Sequence, residues 1–201
     1  MSEPAILRRA APVLFVPEVL DDELCTQLMA KLDAENEASG MLREVEGAIR
    51  LVPDPSAKLR RDHTLEDKAL TDAVMRRLAE RVLPAIQQAF FYRVTRLEKL
   101  KIVRYDADGG GYFRPHRDNG TPDAAHRRFA LTLNLNTGAF EGGGLRFPEF
   151  GDTVYEAPKG GACVFSCSLL HEATDVTAGS RYALLTFFYG EDAVRAAPPG
   201  R

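Results

Sequence analysis

A single change of hydrophobic period, near residue 97, constrains the fold of this chain more than any other feature. Before it, Leu24, Leu28 and Leu32 recur at helical spacing between about Asp21 and Asn36, with Asp21 placed to cap the helix N-terminus. Helical spacing returns from about Leu65 to Phe91. Pro84 is expected to break or kink that second stretch, because proline has no amide donor and clashes inside a helix. Beyond Leu97 the pattern becomes short apolar strands separated by glycine-rich turns, as in a sandwich or jelly roll. Helices first and strands after predict an α+β domain.

Composition narrows the class further. A chain of 201 residues is long enough for one domain with a substantial core. Its 26 basic and 29 acidic residues leave a net charge of -3, so neither nucleic acid nor an anionic membrane is expected as the main partner. No apolar run approaches the roughly 20 residues of a spanning helix, and Met1-Ser2-Glu3-Pro4 lacks the order of a signal peptide, so the cytoplasm is the expected location. The three cysteines, two of them (Cys163 and Cys167) beside apolar strand residues, are expected to be buried, reduced thiols. One domain is read over 12–191, with 1–11 and 192–201 expected to be poorly ordered.

The chemistry is concentrated in His116-Arg117-Asp118 and His171. Residues i and i+2 of a strand project from one face, so the triplet offers an imidazole and a carboxylate to one point in space. His171, directly after an apolar run, can supply a third ligand. Two histidines and one carboxylate on one face of an octahedral metal leave positions open, the arrangement of non-heme Fe(II) oxygenases. The same donors also suit zinc, which leaves a zinc hydrolase as a rival, and a noncatalytic jelly-roll binding or sensing protein as another. Arg181 opens the apolar strand that follows His171, and a buried arginine needs an anion; a dicarboxylate co-substrate would supply it through a bidentate fork.

These residues resemble the Fe(II)/2-oxoglutarate-dependent dioxygenases, and within them the prolyl 4-hydroxylase-like branch. The resemblance runs weakly from Leu14 and most strongly from Leu100 to Tyr189, through Arg104-Tyr105, Tyr112 to Asp118, Leu131 to Asn136, Glu141 to Phe147, Pro158 to Ala162 and His171 to Arg181. It implies a double-stranded β-helix core, about 97–190, buttressed by the N-terminal helices. It also implies Fe(II) on His116, Asp118 and His171, 2-oxoglutarate with its distal carboxylate on Arg181, O2 as oxidant and ascorbate as a candidate stimulant. The expected reaction is hydroxylation of a C–H bond of a prolyl or other peptidyl residue, releasing succinate and CO2. A free amino acid or other small metabolite is the alternative substrate, and oligomeric state is left open. Because Asp118 is a carboxylate and not a small residue, hydroxylation is favoured over halogenation.

Strand parity assigns further roles. Arg181 shares a face with Ala183, Leu185 and Phe187, making Phe187 a candidate pocket wall, where relatives place an aromatic residue near the co-substrate. Ala130, Thr132 and Asn134 share a second face and look into the site, while Phe129, Leu131, Leu133 and Leu135 should pack on the helices. Asn134 stands where relatives can carry a tyrosine that binds the co-substrate. Tyr105, eleven residues before His116, is the better candidate for that contact. Gly109-Gly110-Gly111 and Gly142-Gly143-Gly144 read as turns. His63, His126, Arg60, Arg61, Arg127 and Arg128 are expected at the surface. A hairpin over Arg43 to Val52, in a long segment from Met41 to about His63, is a candidate lid over the substrate.

Overall fold

The structure, a computed structural model, describes residues 10–45 and 48–193. In chain order the elements are β1 (Leu14–Val16), α1 (Asp22–Ala34), β2 (Glu37–Ala38), β3 (Met41–Val45), β4 (Ala48–Val52), β5 (Lys58–Leu59), β6 (Arg61–Thr64), α2 (Lys68–Arg77) and α3 (Leu83–Phe90). The strand-rich part follows: β7 (Arg96–Leu97), β8 (Lys101–Asp106), β9 (Tyr112–His116), β10 (Phe129–Asn134), β11 (Phe140–Gly142), β12 (Leu145–Arg146), β13 (Val154–Tyr155), β14 (Ala162–Ser166), β15 (His171–Ala173) and β16 (Val176–Tyr189). Two antiparallel sheets make the jelly roll. The larger runs β1-β14-β10-β16-β8-β6-β2, with β7 and β11 also paired to β16; the smaller runs β13-β12-β15-β9-β5.

Strand parity decides what each face of the larger sheet meets. Phe129, Leu131, Leu133 and Leu135 of β10 and its extension pack with Cys25, Leu28 and Leu32 of α1, Leu70 and Val74 of α2, and Ile86 of α3 in one buried cluster. The helices therefore buttress the outer face, as the period change predicts. Ala130, on the opposite face, joins Phe147, Cys163, Phe165 and Cys167 between the sheets. Tyr105, Val103, Ala173 and Ala183 form a second inner cluster. All three cysteines are free and buried, and burial pushes the Cys25 thiol up to about 11 and Cys163 up to about 12.

Asp21 caps α1, its carboxylate accepting from Leu24 N–H at 3.0 Å. The second helical stretch breaks earlier than Pro84 itself. Leu78–Val82 forms a π-turn in which Leu83 N–H reaches back five residues to Leu78 O, and Pro84 falls in the first turn of α3. Proline cannot donate to the carbonyl four residues before it, so the chain widens one turn ahead of it and restarts.

The long segment before α2 departs from the expected loop. The hairpin β3–β4 forms, paired Met41↔Val52 through Val45↔Ala48, as a sheet of its own. Its continuation does not stay outside: β5 pairs with β9 in the smaller sheet, β6 pairs with β8 in the larger one, and Arg60 is the residue at which the chain crosses between sheets. The polar sequence of these strands hides them from periodicity. Of the ends expected to be poorly ordered, 1–9 and 194–201 lie outside the described residues. Ala11 is buried, with its N–H on Tyr155 Oη at 2.8 Å, and Ala193 is buried too.

Leu133 is fully buried where the sheet meets the helices. Leu133→Ala should lower unfolding stability by about 2–5 kcal/mol through lost transfer energy and the cavity left behind. Urea denaturation followed by circular dichroism reads this; a loss under about 1 kcal/mol would mean that the helices do not depend on this face.

Candidate active site

The two histidines are brought together by strand pairing. β15 pairs with β9 so that His171 lies directly opposite His116, and two residues further along β15 Ala173 opposes Phe113. Two steps on one strand therefore match three on the other, which is a β-bulge in β9. The extra residue reverses parity, and Phe113 and His116 both face the interior instead of opposite sides. Their rings stack, with centroids 3.4 Å apart and an 18° interplanar angle. His171 is held on its other side by Phe165, edge-on at 4.6 Å.

Each imidazole donates Nδ1–H to a backbone carbonyl two residues earlier, His116 to Arg114 O at 2.8 Å and His171 to Leu169 O at 3.0 Å. A carbonyl can only accept, so the proton sits on Nδ1 and the Nε2 lone pair turns inward. Both lone pairs converge on Asp118: its Oδ1 is 3.4 Å from His116 Nε2 and its Oδ2 3.3 Å from His171 Nε2. Asp118 lies beyond the end of β9, in a turn, anchored by its N–H on Cys167 O at 3.0 Å. Burial acts to raise its carboxyl, but His171, His116 and Arg127 outweigh that and hold it below the usual carboxylate range. Burial pushes the His171 imidazole down against the pull of Asp118, favouring the neutral ligand form.

One ligand atom from each of the three lies within 4.8 Å of the others, so the group could hold a metal ion. The donor set fits iron: two neutral imidazoles with fixed tautomers and one ionised carboxylate, all confined to one side.

Arg181 lies deeper, on β16 opposite Tyr105. It is 3% exposed, and one of its terminal nitrogens, Nη2, donates both to Thr132 Oγ1 at 3.2 Å and to Asn134 Oδ1 at 2.9 Å. Its Nε has no partner, and no salt bridge joins it to a carboxylate among the described residues. Burial pushes its pKa down. A buried guanidinium with an idle N–H is costly unless an anion completes it. Such a cradle fits the distal carboxylate of 2-oxoglutarate. Thr132 and Asn134 thus steady Arg181, and Asn134 also donates to Ala157 O at 3.0 Å. Gly143, with φ of 70°, leaves the space: a Cβ there would stand 3.0 Å from Arg181 Cδ.

Tyr105 shows its ring to the Arg181 guanidinium at 5.4 Å. Its hydroxyl accepts from Arg60 Nη1 at 3.0 Å. Arg60 is not a surface residue: its side chain is 8% exposed and forks onto Asp62 through Nε at 2.7 Å and Nη2 at 3.2 Å. The spacing rule that pairs His116 with Asp118 also pairs Arg60 with Asp62, a signal present in the sequence. Lys58 is buried as well, with Nζ on Gly40 O at 2.6 Å and 5.0 Å from the Phe113 ring centroid. Burial, reinforced by Arg60, pushes its pKa down to about 7.

Two further surface expectations fail. His126 is 3% exposed and bonds Glu98 Oε1 at 2.8 Å, and Arg127 forks onto the same carboxylate. Glu98, which sequence reasoning missed, supplies the counter-charge that lets both enter the protein. Phe187 faces inward with Ala130 and Phe165, and the group lying on its ring is the Arg127 guanidinium, at 3.8 Å. Arg61 and His63 are exposed and half-buried respectively.

Residues 100–189 match the family model of the 2OG-Fe(II) oxygenase superfamily. A PKHD-type hydroxylase of Stenotrophomonas maltophilia is 27% identical over 194 residues, 91% of this chain and 80% of that protein. A multifunctional procollagen lysine hydroxylase and glycosyltransferase of Caenorhabditis elegans is 29% identical over 102 residues, 49% of this chain but only 13% of that protein. Among solved structures, a Pseudomonas putida prolyl-4-hydroxylase superposes with a TM-score of 0.66 at 21% identity, covering 90% of this chain and 93% of that one. A Trichoplax adhaerens prolyl hydroxylase, in complex with a hypoxia inducible factor peptide fragment, superposes with a TM-score of 0.69 at 15% identity, covering 94% and 89%. The fold is thus that of the prolyl 4-hydroxylase-like oxygenases. The match to the 2OG-Fe(II) oxygenase superfamily covers the stretch that holds His116, Asp118, His171 and Arg181, and enzymes of that class use Fe(II), 2-oxoglutarate and O2.

The lowered Lys58 pKa has a consequence for stability. The unfolded chain holds this proton up to the ordinary lysine value of 10.5, the folded one only to about 7, so between them the unfolded state binds more protons and stability rises with pH. Lys58→Met should remove this rise relative to wild type. Chemical denaturation at several values between about pH 7 and 10 measures it, and parallel slopes for the two proteins would contradict the buried placement of Lys58.

Proposed function

We propose that this enzyme hydroxylates a prolyl or other peptidyl C–H bond, with Fe(II) held by His116, Asp118 and His171 and 2-oxoglutarate anchored by Arg181. The observation that carries the reading is the pairing of a three-donor metal cluster with a buried arginine whose Nε is idle. Bound iron would supply the activation of O2 that no side chain can perform. The protein's part is binding and orientation. The backbone carbonyls of Arg114 and Leu169 keep both imidazoles in the Nε2-ligating tautomer. Phe113 and Phe165 fix the ring planes. Arg181, whose Nε has no partner, would receive the distal carboxylate, while Thr132 and Asn134, accepting from Nη2, prevent it from swinging away. Tyr105, oriented by Arg60, lines the same end. Overall, 2-oxoglutarate, O2 and substrate C–H give succinate, CO2 and substrate C–OH.

Peptidyl substrates are favoured by the likeness to a peptide-bound prolyl hydroxylase and to the PKHD-type hydroxylases. The hairpin β3–β4 is read as a cover for the substrate, a reading supported by the ties that flank it, Lys58 on Gly40 O and Ser39 Oγ on Asp62 Oδ2 at 2.7 Å. No helix among the described residues is long and apolar enough to cross a membrane.

Proline-containing peptides and free amino acids incubated with Fe(II), 2-oxoglutarate and air should separate the substrate classes by mass spectrometry. A one-oxygen gain on peptide, matched by succinate and abolished in His116→Ala, is the expected result. Oxygen gain on free amino acids alone would overturn the peptidyl assignment, and succinate formation undiminished in His116→Ala would remove that residue from the ligand set.

A further inference from the structure

His116 and His171 are fixed by a strand ladder, and Asp118 is not. It lies two residues beyond the end of β9, outside the ladder. Its peptide is held from two sides instead: its N–H donates to Cys167 O at 3.0 Å, and its carbonyl accepts from Arg127 Nη1 at 3.2 Å. Arg127 closes the base of the segment that leaves the site after Asp118 and returns to β10.

Arg127 is itself held by a carboxylate and by an aromatic ring. Nε donates to Glu98 Oε1 and Nη2 to Glu98 Oε2, both at 2.8 Å, a parallel fork that fixes the guanidinium plane. The Phe187 ring covers one face of that plane at 3.8 Å. Glu98 is anchored in turn: its N–H donates to Phe187 O at 2.9 Å, its carbonyl accepts from Thr186 Oγ1 at 2.8 Å, and its Oε1 also takes His126 Nε2 at 2.8 Å. Burial acts to raise the Glu98 carboxyl, but Arg127 and His126 outweigh it and keep it ionised. The chain of contacts from His126 through Glu98 and Arg127 to Asp118 is directional, and only its last member meets the metal site.

We infer that Arg127 is a positioning residue that sets the backbone of the metal-ligating Asp118, and that Glu98 and Phe187 hold Arg127 in the required plane. The inference rests on the reading of His116, Asp118 and His171 as a metal site. A lysine could not replace Arg127, because a point donor cannot hold the fork on Glu98 and reach the Asp118 carbonyl together. The effect falls on metal affinity, since a carboxylate free to turn must be ordered when the ion binds.

Co(II) titrations of the full-length protein, followed by visible absorption and calorimetry at a temperature where every variant is folded, read this without turnover. Arg127→Ala should weaken Co(II) binding about 10–100-fold, the usual cost of losing an outer partner of a ligand. Arg127→Lys, which keeps the charge and guards against a folding failure, should not restore affinity, and Glu98→Gln should weaken it in the same direction. Arg128→Ala, an exposed neighbour bonded to Ala125 O, should bind as wild type does. Affinity within about twofold of wild type in Arg127→Ala, with only a lowered melting temperature, would show a merely structural salt bridge and overturn the inference. Absence of Co(II) binding in wild type, or unchanged binding in His116→Ala, would instead overturn the metal site itself.

Discussion

The extra residue of β9 between Phe113 and His116 is the constraint on which the site depends. Without that bulge a regular strand would send Phe113 and His116 to opposite faces, and one of the two would leave the interior. With it, Phe113 stacks on His116, His171 comes directly opposite, and the turn after the strand carries Asp118 between the two imidazoles. The aromatic clusters between the sheets then serve as the rigid bed for the ligands, and the helices, packed on the outer face, keep that bed in register.

Charge is the second organising element. Arg60, Lys58 and Arg181 are all buried around Tyr105 and Phe113, and Asp62 neutralises only the first of them through a fork. Lys58 is accommodated by losing its proton readily and by a backbone carbonyl, whereas arginine cannot take that route. Arg181 therefore remains as a fixed positive charge, its Nη2 held by Thr132 and Asn134 and its Nε left without a partner. Unfavourable in isolation, this arrangement would become favourable on entry of a dicarboxylate, which under the proposed function would link the stability of the folded chain to its co-substrate.

How much of this was legible in the sequence depended on whether a residue's partner lay nearby along the chain. The α+β order, the cap at Asp21, the helix-facing side of β10 and the set His116, Asp118, His171 and Arg181 follow from local spacing and from a family resemblance. The roles of Arg127 and His126 did not, because both are admitted to the interior by Glu98, about thirty residues away along the chain, whereas Arg60 has its partner Asp62 two residues on, in a polar run that reads as surface. β5 and β6 were hidden for a related reason, since their inward residues include Lys58 and Asp62, which read as solvated loop. The bulge is invisible to parity arguments, which assume that no residue is inserted, and strict alternation along Tyr112 to His116 would have placed Phe113 outside.

Anaerobic titration of metal-free protein with Fe(II) and 2-oxoglutarate, in wild type and Arg181→Ala, tests the account most directly. A weak visible charge-transfer band that forms in wild type and fades or demands far more 2-oxoglutarate in the variant is the predicted result, joining metal, co-substrate and buried arginine in one site. A band of equal strength and affinity in Arg181→Ala, or none in well-folded wild type, would contradict it.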